Sequence, residues 1–102
     1  MKLRIHHQEL RFRLSAKDLD LLSSQKEIKE ELQFSPTTKW TYSLKLSQSA
    51  EQTGPELKAT LPRIEMLLPE VQFQNWLQGP EIEWSYSQPE PELNILIEKD
   101  LK

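Results

Sequence analysis

Lys2-Leu-Arg-Ile-His-His-Gln-Glu-Leu-Arg-Phe-Arg-Leu14 is written a second time as Glu56-Leu-Lys-Ala-Thr-Leu-Pro-Arg-Ile-Glu-Met-Leu-Leu68, position n answering to n+54. The apolar positions coincide without a gap for about thirty residues, from Leu3/Leu57 through Leu10/Ile64, Phe12/Met66, Leu14/Leu68, Leu19/Phe73 and Leu22/Trp76 to Ile28/Ile82 and Leu32/Tyr86. One residue of slippage then brings Tyr42 onto Ile95 and Leu44 onto Ile97. Repetition at a fixed period marks a supersecondary unit that cannot bury its own apolar face and must pack on its copy.

Period-two alternation sets the content of each unit. Lys2 to His7 and Glu9 to Leu14 read as a hairpin turning near Gln8, with Leu3, Ile5 and His7, then Leu10, Phe12 and Leu14, on one face. Ser15, with Asp18 three residues on, has the spacing of a capping box, and opens a short helix whose Leu19, Leu22 and Ala16 face inward. Two more alternating strands follow, Glu27 to Phe34 with Ile28, Leu32 and Phe34 inward, and Lys39 to Leu46 with Trp40, Tyr42, Leu44 and Leu46 inward. The linker-like Ser47 to Pro55 falls where a duplication has its seam.

The second unit repeats the order: strands Glu56 to Leu61 and Ile64 to Leu68, a helix opened by Pro69 and closed at Gly79-Pro80, then strands Glu81 to Tyr86 and Leu93 to Ile97. Its helix directs Val71, Phe73, Trp76 and Leu77 inward, and the strand that follows Ile82, Trp84 and Tyr86. Pro62 marks a turn or an edge bulge. The expectation is one α+β domain over residues 1–102, a duplicated strand-strand-helix-strand-strand unit (repeats 1–47 and 55–102) related by a pseudo-twofold axis. Its strands form antiparallel sheets or a partly closed barrel, with two short helices.

Composition narrows the chemistry. At 102 residues, 36% hydrophobic and 28% charged, with a mean hydropathy of -0.67, the chain supports one modest core and a wet exterior. It has no cysteine, so disulfides, thiolate metal sites and thiol nucleophiles are excluded. No run of eighteen apolar residues occurs and Met1 to Leu14 alternates, so neither a bilayer-spanning helix nor a secretory signal is expected, and the default location is the cytoplasm. Net charge is -3, but residues 1–50 hold nine Lys/Arg against six Asp/Glu and residues 51–102 hold four against ten. Complementary pairing between the halves, or drift on solvated faces, would produce that polarity.

Lys2, Arg4, Arg11 and Arg13 fall on the outward face of the first hairpin. Clustered cations on a sheet need acidic partners or an anion. The cross-strand reading looks to Glu27 and Glu31, with neighbouring Lys29, on a later strand; the functional reading makes the patch a phosphate site. Nucleic acid is disfavoured, because Trp40, Trp84 and Tyr86 alternate into the core and net charge is negative. His6 and His7, adjacent on a strand, point to opposite faces and make no metal site. Glu81 and Glu83 share one strand face as paired carboxylates do, but solvated strands carry Glu routinely. With only Gly54 and Gly79, a glycine-rich phosphate loop is excluded. No catalytic residue set and no cofactor site is visible.

Three segments carry a resemblance: Leu10-Arg-Phe-Arg-Leu-Ser15 leading into Lys17-Asp-Leu, Trp40-Thr-Tyr-Ser-Leu44, and Asn94-Ile-Leu-Ile-Glu-Lys-Asp100. Together they resemble a family of small uncharacterised bacterial proteins of about this length, whose first hairpin reads I-R-F-R-L-T and whose last strand reads L-R-I-L-I-E-K-D-F. The resemblance brings no activity or ligand with it. It does place Arg11, Arg13 and Glu98-Lys99-Asp100 inside the family's motifs, and a terminal charged strand lying against the arginine hairpin would explain both. The reading is a non-catalytic binding or protein-interaction domain, monomeric or homodimeric, whose partner is a protein not yet identified. The alternative is a small enzyme or sensor taking a phosphate-bearing anion at Arg4, Arg11, Arg13 and Lys99.

Overall fold

The chain forms β1 (Lys2–His6), β2 (Glu9–Leu14), α1 (Ala16–Gln25), β3 (Glu27–Gln33) and β4 (Lys39–Ser47), then β5 (Glu56–Thr60), β6 (Arg63–Pro69), α2 (Glu70–Gln78), β7 (Glu83–Gln88) and β8 (Leu93–Lys99). The structure is a computed structural model and describes residues 1–49 and 51–101. The strands make two four-stranded sheets, β1-β2-β8-β7 (sheet A) and β3-β4-β6-β5 (sheet B), and no closed barrel forms among the described residues. The architecture is the expected duplicated α+β unit with two short helices.

Each sheet takes one hairpin from each repeat. The hairpins are antiparallel, as alternation and short turns dictate, but where the repeats meet the central strands run parallel: β2 beside β8 and β4 beside β6. Both sheets are therefore mixed, because alternation along a strand fixes its face and leaves its partner open. The register obeys the duplication, Arg11 standing opposite Leu96 as Glu65 stands opposite Ser43. Leu10, Phe12, Leu14, Ile95 and Ile97 of sheet A close on Leu44, Leu46, Ile64, Met66 and Leu68 of sheet B, with Leu19, Leu22, Phe73 and Trp76 from the helices, in one core cluster.

The helix starts differ between the repeats. Ser15 Oγ accepts from the Asp18 amide at 3.2 Å and Asp18 Oδ2 accepts from the Ser15 amide at 3.0 Å, completing the capping box of α1. At the matching positions α2 has Pro69 and Gln72, and no side chain caps it. The ends differ too. Lys26, at φ 68, turns α1 straight into β3, whereas α2 is followed by an extended Gly79, the first of four residues that separate it from β7.

That longer exit corrects the repeat alignment. Ile28 pairs with Leu44 as Trp84 pairs with Ile97, so β3 answers to β7 at n+56 while β4 answers to β8 at n+53. Ile82 therefore does not match Ile28; it precedes β7 and is exposed. Leu32 matches Gln88, not Tyr86. Other expected core positions also fail. His7 lies in the two-residue turn between β1 and β2 at φ 51 and is exposed, because that turn ends the alternation at His6. Ala16 and Val71 sit in the first turns of their helices, on the solvent side. Leu32 is 52% exposed and Phe34 56%, at the end of sheet B away from the helices. Pro62 sits in the β5–β6 turn, after a cis Leu61–Pro62 peptide.

Candidate functional site

Alternation along β2 throws Arg11 and Arg13 onto the outer face of sheet A, and the parallel β8 lays Glu98 and Asp100 beside them. Across the sheet, Lys2, Arg13, Glu98 and Glu83 stand in one row, and Arg4, Arg11, Leu96 and Ser85 in the next. Arg11 Nη1 donates to Glu98 Oε2 at 2.7 Å and lies 3.6 Å from Glu83 Oε1; its Nε is 3.5 Å from Glu9 Oε2. The Glu98 hydrogen bond holds the Arg11 guanidinium above its ordinary pKa against the opposing pull of burial. Arg13 spans Asp100 Oδ2 at 3.3 Å and Glu98 Oε1 at 3.6 Å. The terminal charged strand thus lies against the arginine hairpin.

Glu27 and Glu31 are not the partners. β3 belongs to sheet B, where Glu31 lies 3.6 Å from Lys39. Periodicity could not separate two acidic strands of the same parity.

Lys99 alternates to the inner side of β8 and reaches α2. Its Nζ donates to the carbonyls of Trp76 at 2.8 Å and Gly79 at 2.9 Å, approaches that of Leu77 at 3.4 Å, and stands 5.0 Å from the centre of the Trp76 ring. Extended Gly79 gives α2 no left-handed cap; its amide reaches only the Trp76 carbonyl, at 3.2 Å, and the ammonium supplies the remaining donors. Lys99 therefore joins none of the arginines. Arg4 is exposed, stands directly opposite Arg11, and makes no ion pair among the described residues. The four cations brought together by sequence reading thus divide into two paired arginines, one helix-capping lysine and one solvated arginine. A shallow groove of about 390 Å³ beside Arg13 is lined by Ile82, Glu98, Lys99, Asp100 and Leu101 as well, its charges balanced.

The remaining expectations resolve locally. With His7 in the turn, the His6 and His7 rings meet edge to face at 4.2 Å instead of pointing apart. Among the described residues no group of three or more His, Asp or Glu is placed to hold a metal ion. Glu81 lies outside β7, so it shares no strand face with Glu83. Trp84 and Tyr86 pack on the core as expected.

Sequence reasoning missed the open end of sheet B. Leu32 faces half-buried Trp40 in register, Phe34 meets Trp40 edge to face at 5.7 Å, and the Thr41 amide donates to the Pro62 carbonyl at 2.9 Å, which sets 67%-exposed Leu61 nearby. The corresponding end of sheet A has Gln88 in place of Leu32, His7 in place of Leu61 and Gln8 in place of Pro62, and its shorter β7–β8 loop has Glu90 where Phe34 would come. Among the described residues its one exposed large apolar residue is Ile5, expected inward but 55% exposed, where sheet B has Ala59. Two repeats with one geometry thus differ in polarity here. An alignment at n+56 would have exposed the difference; at n+54 it set Leu32 against Tyr86 and hid it.

Fold and surface together define a duplicated α+β domain with an internally neutralised charged face and one apolar sheet end. The chain belongs to a family of unknown function (DUF7009), whose model matches residues 1–102. No curated protein matches it in sequence. No helix among the described residues is long and apolar enough to cross a membrane.

Proposed function

We propose that this chain is a non-catalytic protein-interaction domain that docks through the open end of sheet B. The observation that carries the reading is the contrast between Leu32, Phe34 and Leu61 and their polar counterparts Gln88, Glu90 and His7. The fold accepts polar residues at these places, so it does not need apolar ones. Exposed apolar residues beyond a fold's needs mark contact surfaces. The paired state of Arg11 and Arg13 supports the same reading, since an anion would have to displace Glu98 and Asp100.

The test is photo-crosslinking with p-benzoylphenylalanine placed at Phe34 and, as control, at Glu90. Saturable adducts at 34, competed by unmodified protein and absent at 90, are expected; equal adducts at both sites would overturn the reading. A small anionic ligand at the first hairpin is the second reading, favoured by solvated Arg4 standing opposite Arg11. A thermal shift with phosphate or nucleotides that an Arg4→Ala/Arg11→Ala variant loses would establish it; no shift would exclude it. A bacterial, cytoplasmic setting belongs to the proposal as well, supported by the family resemblance and the cysteine-free composition.

A further inference from the structure

Resting on that reading, we propose that the partner is a second copy of this chain, joined to the first by antiparallel pairing of β3 with β3. Strand β3 is the longest open edge in the molecule, seven residues against six in β7 and five in β1 and β5. Its backbone is set for pairing. Phe34 N donates to Thr38 O and Leu46 N to Lys26 O, so even-numbered residues bond toward β4. Antiparallel ladders alternate, which turns the N–H and C=O groups of Glu27, Lys29, Glu31 and Gln33 toward the free edge. Among the described residues these edge groups make no backbone hydrogen bond to another element.

The side chains then select a register. A twofold axis through Glu30 places Lys29 opposite Glu31 of the second copy twice, Ile28 opposite Leu32 twice, and Glu27 opposite Gln33 twice. Charges meet opposite charges on the outer face, and apolar residues meet on the inner face, where Leu32 is otherwise half open. The odd residues form the hydrogen-bonded pairs in this register, as the free edge requires. Glu30 meets its own copy; in each chain the Met1 ammonium, 2.8 Å from Asp18, also lies 3.4 Å from the Glu30 carboxylate and offsets part of the like charge. A shift of the axis to Glu31 sets Glu31 against Glu31 and Glu30 against Leu32.

The other edges do not complement themselves so well. β1 would oppose Arg4 to Arg4 and Lys2 to His6; β7 has its aromatic residues already packed on the core; β5 is short and bounded by Pro55 and Pro62. Charged edge strands usually block association. Here the charges alternate so that one antiparallel register is accepted and its neighbour is not. The product is a continuous eight-stranded sheet with twofold symmetry, in which each repeated interface is isologous. Leu61 stays outside the seam.

Sedimentation equilibrium of the intact chain at about 100 μM tests this, with wild type beside Lys29→Glu, Glu31→Lys and the double exchange, each checked for an unchanged circular dichroism spectrum. Wild type is expected at twice 12.1 kDa. Either single change sets like charges opposite each other twice and should weaken the dimer roughly tenfold. The double exchange should restore it. Lys29→Glu is the cleaner single variant, because Glu31 also lies near Lys39. A monomeric wild type, or four proteins that associate equally, would overturn the pairing. A monomeric wild type that still crosslinks another protein at position 34 would sink the self-pairing alone, and an absence of adducts as well would sink the docking surface with it.

Discussion

Lys99 shows how a residue that reads as a free cation becomes structure. It sits in a strand motif beside Glu98 and Asp100, yet alternation turns it inward onto the last carbonyls of α2. Hydrogen bonds from an ammonium are among the stronger polar contacts, and removing the donor leaves the half-buried Gly79 carbonyl without its partner and the Trp76 carbonyl with only the Gly79 amide. Lys99→Met should therefore cost about 2 kcal/mol, lowering the melting temperature by roughly ten degrees for a chain of this size. Lys58→Met, at an exposed lysine of β5, should move it by no more than about 0.5 kcal/mol. Calorimetry on the two variants separates the cases; equal melting points would mean that the α2 carbonyls are satisfied by water once Lys99 is gone. Arg11 differs in kind. Its partner Glu98 is also shared with Arg13, so Arg11→Met should cost about 1 kcal/mol, the ordinary worth of a partly exposed pair.

At the scale of elements, the two helices test the value of a cap within one molecule. Burial pushes the Asp18 carboxyl upward, but the Met1 ammonium, the Ser15 amide and the Ser15 hydroxyl together hold it below the usual carboxylate range. A carboxyl depressed in the folded state adds stability at pH above its unfolded pKa of about 3.9 and loses it as pH falls through the folded value. Asp18→Asn should thus be about 1 kcal/mol less stable than wild type at pH 7, with the gap closing below about pH 4. Urea unfolding at pH 7 and pH 3 measures both, and a gap that survives at pH 3 would assign the effect to geometry instead of charge. The capping box was legible because its spacing is local. The longer exit from α2 was not: two extra residues leave period-two alternation intact, so Ile82, Trp84 and Tyr86 read as one inward face although the strand begins only at Glu83. The same parity hid which acidic strand meets the arginines, because alternation specifies a face while register and neighbour come from tertiary packing.

The charge asymmetry of the chain is a property of the whole molecule. Among the described residues every ion pair that crosses between the repeats runs from a cation in the first to an acid in the second: Arg11 to Glu83 and Glu98, Arg13 to Glu98 and Asp100, and Lys26 to Glu70. The polarity read from composition is therefore, in part, the electrostatic face of the duplication. Exchange of hairpins makes the dependence stronger, since β2 reaches its core-side neighbour only in β8, and β4 only in β6. Neither repeat alone can build a four-stranded sheet, and an isolated hairpin is marginal in water. Residues 1–47 and 55–102, prepared as separate peptides, should each be largely unfolded, and mixing them at about 10 μM should recover the strand signal in circular dichroism and shift the emission of buried Trp76. The first repeat should not replace the second with a copy of itself, because Arg11 and Arg13 would then meet Lys45 and Ser47 in place of Glu98 and Asp100. Raising salt from 0.05 to about 0.5 M should weaken assembly of the two peptides as the exposed pairs are screened. A single repeat that folds on its own, or one that assembles equally well with itself, would show that the apolar seam between the parallel strands is sufficient and that the opposite charges of the halves do not choose the partner.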